Sequence, residues 1–266
     1  MKEITDQEFR HFQGFIFDSA GITLPPSKKT LVSGRLAKRL LHCHLDSYGD
    51  YFSLLSSGRA PDEVQVAIDL LTTNETYFFR EPQHFDQLRQ LALQARGRSE
   101  AFRVWSAASS TGEEAYSIAM VLSDCLGTAA WEVVGTDISS RVLQSAMAGH
   151  YTLERGRNIP PAFLRRFCLR GTGAQEGTLL VDKALRSRVQ FRHANLNTTL
   201  PELGRFDVVF LRNVMIYFSD DTKRQVVARV LAQLRRGGHF YIGHSESLNG
   251  ISDEVTLLSP SIYRKP

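Results

Sequence analysis

Apolar positions along the chain follow two different periods, and the change between them divides it. From the N-terminus to about residue 75 the spacing is helical. Phe9, Phe12, Ile16 and Ala20 mark one amphipathic helix, which Gly21 and Pro25-Pro26 bring to an end. Val32, Leu36 and Leu40 mark a second helix, with Ser27 as its expected N-cap. Further helical segments are predicted over Tyr48–Leu55 and Pro61–Leu71. No run in this region reads as a convincing strand.

From Phe102 onward, short apolar runs alternate with helical ones, the pattern of a mostly parallel sheet. Strands are predicted at Phe102–Trp105, Trp131–Thr136 ending at Asp137, Val189–Arg192, Phe206–Leu211, His239–Gly243 and Ser261–Arg264. Helices are predicted from Glu113, from Ser139 to Met147, and from about Asp220 to Arg235. Between the second and third strands, Tyr151 to Arg188 is too long for an ordinary crossover. Glycines surround the short apolar run at Thr178–Val181, which predicts a small antiparallel flap. The expected organisation is a helical domain over 1–75, a linker and connecting helix over 76–95, and a sheet domain over 96–266 carrying the flap at about 151–188.

Composition adds little. Apolar residues make up 42% and charged residues 23%, ordinary for a globular protein with a sizeable core. No apolar run approaches the ~20 residues of a membrane span, and the polar start lacks a signal peptide's apolar region. Cys43, Cys125 and Cys168 are far apart and odd in number, which suits reduced thiols in the cytoplasm. His42-Cys43-His44 is no metal motif, because alternate residues of a helix point apart, and no metal is expected.

The net charge of +4 is mild, but its distribution is uneven. Lys28, Lys29, Arg35, Lys38 and Arg39 occur with no acid among them, and Lys28, Arg35, Arg39 and His42 fall on one helix face. Glu154 to Arg192 holds nine Arg/Lys against three acids. Each surface reads either as a solvated face or as a docking site for an acidic partner.

The candidate chemistry lies in the loops after the strands, where open parallel sheets bind ligands. Ser106–Gly112 is a run of small residues between a strand and a helix start, permitting close approach of a ligand. Asp137 stands 25 residues after Gly112, suitably placed to accept ribose hydroxyls, though an N-cap role is the alternative. Asn195 and Arg212-Asn213 end the next two strands. A dinucleotide site wants three glycines and a phosphate on the helix N-terminus. Here Glu113 and Glu114 occupy that helix start, and carboxylates would repel a diphosphate but attract a cationic sulfonium donor.

Six motifs, TTNETYFFRE, VWSAASSTGEEAYSIA, GTDIS, RGTG, RNVMIYF and GHSESL, in this order and spacing, resemble the bacterial chemotaxis receptor glutamate methyltransferases, the CheR family. The resemblance covers nearly the whole chain. It implies an α/β, Rossmann-like class I S-adenosylmethionine-dependent methyltransferase with a mostly parallel sheet and an antiparallel last strand, an all-helical N-terminal domain and an inserted antiparallel β-flap. It implies S-adenosyl-L-methionine as cofactor, S-adenosyl-L-homocysteine as product, and methyl esterification of glutamates on a chemoreceptor cytoplasmic domain.

Carried over by matched position, Asn74, Thr76 and Arg80 line the cofactor site, with Arg80 near the reacting methyl. Gly112 and Glu114 belong to the cofactor loop, with Glu113 as the alternative contact. Asp137 holds the ribose, Asn195 and Leu196 frame the adenine with Arg212 and Asn213 beside them, and Tyr217 sits near the acceptor carboxylate. Ala115 stands where the family's GEEPYS has proline, which is favoured at early helix positions but not required.

The resemblance also gives the basic surfaces a purpose. Lys28, Arg35, Lys38 and Arg39 would dock the receptor, and the flap, with Gly171, Gly173 and Gly177, would add a receptor tail peptide as a strand. A monomer that neither binds nucleic acid nor inserts into membrane is implied. Two other classes compete: a nucleic-acid methyltransferase, though RNVMIYF lacks an Asn-Pro-Pro-Tyr type of arrangement, and a non-catalytic adaptor that senses S-adenosylmethionine.

Overall fold

The structure, a computed structural model, describes residues 3–266. The helical region contains α1 (Asp6–Ala20), α2 (Lys29–His42), α3 (Tyr48–Ser56) and α4 (Pro61–Leu71), followed by the connecting helix α5 (Gln83–Gln94). α1 opens with a capping box, in which Thr5 and Glu8 satisfy each other's backbone N–H groups. It closes on Gly21 at φ 72°, a left-handed position where an added Cβ would also strike Thr222. The entry to α2 differs from expectation. Ser27 lies inside a 3₁₀ turn, Pro26–Lys28, and α2 begins at Lys29 without a side-chain cap. Pro25-Pro26 sets that tight turn, so Ser27 is already past the position where a cap would act.

The second region runs β1 (Phe102–Ala107), α6 (Glu113–Leu126), β2 (Trp131–Asp137), α7 (Ser140–Ala148), β3 (His150–Thr152), α8 (Pro161–Phe167), β4 (Cys168–Arg170), β5 (Thr178–Val181), α9 (Lys183–Arg186), β6 (Val189–His193), β7 (Phe206–Leu211), α10 (Asp220–Ala232), β8 (Leu234–Ile242), β9 (Thr256–Ser259) and β10 (Ile262–Arg264). The main sheet has the order β6-β2-β1-β7-β8-β10-β9. Its first five strands are parallel, and β10 is antiparallel to both its neighbours. β3, β5 and β4 form the expected antiparallel flap, with β5 central. Strand order reverses between β1 and β7, so the crevice for a ligand opens at their carboxyl ends.

Two apolar clusters hold the sheet. On one face, Trp105, Phe206, Val209 and Phe240 meet α10 through Val226 and Val227. The same cluster continues into the helical domain through Phe12, Ile16, Leu36 and Tyr51. On the other face, α5 and α6 pack with Tyr151, Phe167 and Leu179 of the flap region. Polar ties reinforce the join. Asp69 of α4 accepts the Ser140 and Arg141 backbone N–H groups at 3.0 and 3.2 Å, holding the N-terminus of α7. Asn195 Nδ2 donates to the Ser19 carbonyl at 2.6 Å, and Thr23 N donates to the Tyr217 carbonyl at 2.8 Å. Among the described residues, no helix is long and apolar enough to cross a membrane.

The basic face of α2 is only partly free. Arg39 forms a two-pronged pair with Glu63, and Arg35 donates to the Thr72 carbonyl at 2.9 Å and to that of Leu71. Lys29 pairs with Asp6 at 2.6 Å. Lys28 and Lys38 remain exposed. Arg35 and Arg39 are thus fastened within the helical domain, which corrects their place in the predicted docking set.

Candidate active site

The loop after β1 turns so tightly that it places non-glycine residues in the left-handed region, Ala108 at φ 63° and Ser110 at φ 49°. Asp137, at the end of β2, fixes this turn. Its carboxylate accepts the Ser110 N–H and the Ser139 N–H, both at 2.9 Å. Ser139 itself caps α7, so Asp137 is not the helix cap. Burial pushes the Asp137 carboxyl up, against the pull of those backbone N–H groups.

The two acids opening α6 point to different tasks. Glu114 faces the crevice, accepting a hydrogen bond from Ser106 Oγ at 2.7 Å and one from Arg212 Nη1 at 2.8 Å. Burial raises its carboxyl although Arg212 opposes this. Glu113 is fully buried, accepts from Thr111 Oγ1 at 2.7 Å and pairs with Arg155 at the base of the flap. One acid thus serves the crevice and its neighbour secures the flap.

Residues 72–81 cross beneath the loop. Ser110 Oγ donates to the Asn74 carbonyl at 3.0 Å, and Phe79 N donates to Ser117 Oγ at 3.0 Å. Of the three aromatics only Phe78 is fully buried, edge-on to Tyr151; Tyr77 lies outside beneath the Arg80 guanidinium. Arg212, buried at the end of β7, gathers this segment. Besides Glu114 it reaches the Arg80 carbonyl and, at 3.0 Å, Glu81 Oε2. Glu246 does similar work for the following turn, accepting backbone N–H groups of Gly243, Asn213 and Met215 at 2.7, 2.9 and 2.8 Å.

The result is a cleft of about 860 Å³, its mouth included. It is lined by Asn74, Thr76, Arg80, Glu114, Asp137, Asn195, Leu196, Arg212, Asn213 and Tyr217, ten of the eleven cofactor and catalytic residues predicted. Gly112 is the exception. It sits at φ 94° under α7, where a Cβ would lie 2.9 Å from that of Ala146 and 3.1 Å from the Phe191 ring. Lacking a side chain, it lets the loop pack closely against α7. Sequence reasoning missed Ala20 and Ile22, which the helical domain contributes to the wall, and the anchoring acid Glu246. The motif GHSESL contained Glu246, but nothing in its spacing pairs it with the turn after β7.

The donor set fits a cationic nucleoside. Two buried carboxylates, Asp137 and Glu114, face an apolar wall including Ile138, Leu196 and Phe218. Acids raised by burial gain from a positive ligand and would reject a phosphate. Toward Arg80, the Tyr217 hydroxyl is raised by burial, with Thr73, Arg80 and Arg35 acting in the opposite direction. Gly171 lies in a separate groove along the flap with Leu169 and Thr178, and its added Cβ would meet the Gln175 carbonyl at 1.9 Å. Gly173 and Gly177, at φ 58° and 81°, shape the β4–β5 connection and do not line that groove.

Two family models match the chain, one described as the CheR methyltransferase all-alpha domain over residues 7–72 and the other as the CheR methyltransferase SAM binding domain over 74–263. A chemotaxis protein methyltransferase of Escherichia coli K12 is 42% identical over 98% of this chain and 91% of its own. Chemotaxis protein methyltransferase 2 of Pseudomonas aeruginosa is 40% identical over 97% of this chain and 93% of its own.

Proposed function

The chain belongs to the CheR family of S-adenosylmethionine-dependent methyltransferases, and from that premise we propose that it esterifies glutamate side chains of chemoreceptor cytoplasmic domains. The observation that carries this reading is the polarity of the cleft: carboxylates Asp137 and Glu114 within, and Arg80 with Tyr217 toward the acceptor. S-adenosylmethionine, when bound, supplies an electrophilic methyl group on a sulfonium. Asp137 would hold its ribose, Glu114 its cationic end, and Leu196 with Asn195 its base.

A glutamate acceptor has an ordinary pKa of ~4.3 and is ionised at neutral pH, so no general base is needed. Among the described residues, no histidine or lysine lines the cleft, in keeping with that demand. Arg80 has no acidic partner among the described residues and is available to draw a carboxylate in, while Tyr217 can donate to its second oxygen. The chain's task is then alignment and removal of water around the acceptor. Lys28 and Lys38 would meet acidic receptor helices, and the exposed edge of β4 would take a receptor tail as an added strand.

Incubation with methyl-labelled S-adenosylmethionine and receptor tests the reading. Alkali-labile label on receptor protein is expected. Alkali-stable label on RNA, or cofactor binding without transfer, overturns it.

A further inference from the structure

We propose that Glu81, His84 and His244 form a binding site for a divalent transition metal of the zinc type, beside the cleft but outside it. The three side chains come from the start of α5 and from the loop after β8, about 160 residues apart, and their ligating atoms all lie within 4.8 Å of one another. His84 Nδ1 is 3.6 Å and His244 Nε2 is 3.7 Å from Glu81 Oε2. Ligands around zinc at 2.0–2.2 Å stand about 3.4 Å apart, so a small closure completes the set. His244 is exposed and can make that closure by side-chain rotation.

The hydrogen bonding points to a missing cation. Ser261 Oγ donates to the Pro260 carbonyl at 2.6 Å, so it accepts from His84 Nε2, 2.7 Å away. The proton of the His84 ring is therefore on Nε2, and Nδ1 presents a lone pair. That nitrogen is shut off from water and makes no hydrogen bond, while Glu81 Oε2, 3.6 Å away, is held by Arg212 at 3.0 Å. A buried imidazole nitrogen left without a donor is costly unless something positive lies against it. At His244 the Gln83 amide nitrogen donates to Nε2 at 2.7 Å; this amide is exposed and a metal would displace it.

Two nitrogens and one carboxylate oxygen suit zinc, cobalt or nickel rather than magnesium or calcium. The local charge also favours a cation, since Glu81 and Glu114 outweigh the single Arg212 between them. A metal on Glu81 competes with Arg212 for the same oxygen. Occupancy therefore loosens the hold of Arg212 on the cleft, and zinc acts as an inhibitory ligand of this enzyme.

The test uses untagged full-length protein stripped with chelator and titrated with Co²⁺, then with Zn²⁺ in competition. One equivalent is expected, with cobalt d–d absorption of a low-coordinate nitrogen and oxygen site. His244→Ala, at an exposed position that does not threaten folding, should weaken binding at least tenfold. Zinc should lower the affinity for S-adenosylmethionine severalfold in the wild type and not in His244→Ala. Absence of a tight equivalent, undiminished binding in His244→Ala, or a thiolate charge-transfer band from cysteine ligation would each overturn the site.

Discussion

Arg212 Nη1 lies 2.8 Å from Glu114 Oε2, and both side chains are largely withdrawn from water. The guanidinium also touches Glu81 and the Arg80 carbonyl, so one cation holds together three elements of the cleft. Replacing it with alanine would leave two acids facing each other without a counter-charge. Arg212→Ala should cost about 3–5 kcal/mol of stability in urea unfolding. Arg212→Lys should recover only part of this, because an ammonium cannot span all the contacts. Full recovery by lysine would show that point charge alone suffices.

Arg80 and Tyr217 should separate catalysis from binding of the donor. Arg80→Ala is expected to lower kcat for receptor methylation by about 10²-fold, the scale for losing one aligned electrostatic group. Tyr217→Phe should cost about 3- to 10-fold, one hydrogen bond's worth. In both variants, affinity for S-adenosylmethionine measured by calorimetry should change far less than kcat. A parallel collapse of both quantities would place the residues on the cofactor side instead.

Charge reversal on α2 should divide its cations into two kinds. Lys28→Glu with Lys38→Glu should raise KM for receptor and leave the melting temperature unchanged, since both side chains are exposed. Arg39→Glu should instead destabilise the helical domain, because it would confront Glu63. Unaltered receptor KM in the double lysine variant would remove α2 from the docking surface.

The Glu63 pair also predicts a pH dependence. Burial would raise the Glu63 carboxyl, but hydrogen bonds from Arg39 and Tyr51 outweigh it and hold it below its ordinary 4.5. A carboxyl lowered in the folded state contributes stability above its unfolded pKa, and that contribution fades as pH falls through the folded value. Glu63→Gln should therefore be less stable than wild type by about 1–3 kcal/mol at pH 7. The gap should narrow below pH 4.5 in denaturant titrations, and a gap that widened on acidification would contradict the assignment.

Gly112→Ala should act on stability and not on ligand. The left-handed backbone and the close approach of Ala146 predict a loss of about 1–3 kcal/mol. Cofactor affinity of the folded fraction should stay near that of the wild type.

Periodicity made most of the fold legible, and the exceptions have physical causes. The helix expected to reach Arg235 ends at Ala232, since Leu234 already pairs in β8 opposite Phe206. Gly237 and Gly238 then lie within the strand, where Gly238 has Leu234 and the Asp207 carbonyl too near for a side chain. β9 escaped notice because all four of its residues are exposed, leaving no alternation to detect. The cleft was readable because its residues cluster after strands. Arg39 with Glu63, and Glu81 with His244, were not, since their pairing exists only after distant segments fold together.

The two family models meet at residue 73, and Thr72, Thr73 and Asn74 all line the cleft. The seam that looks like a natural place to cut the gene thus runs through the wall of the pocket, with Ala20 and Ile22 on its far side. Recombination there cannot exchange one half and leave the other untouched. Any swapped helical domain brings its own piece of the cleft wall, so hybrids between relatives change the cleft along with any new surface.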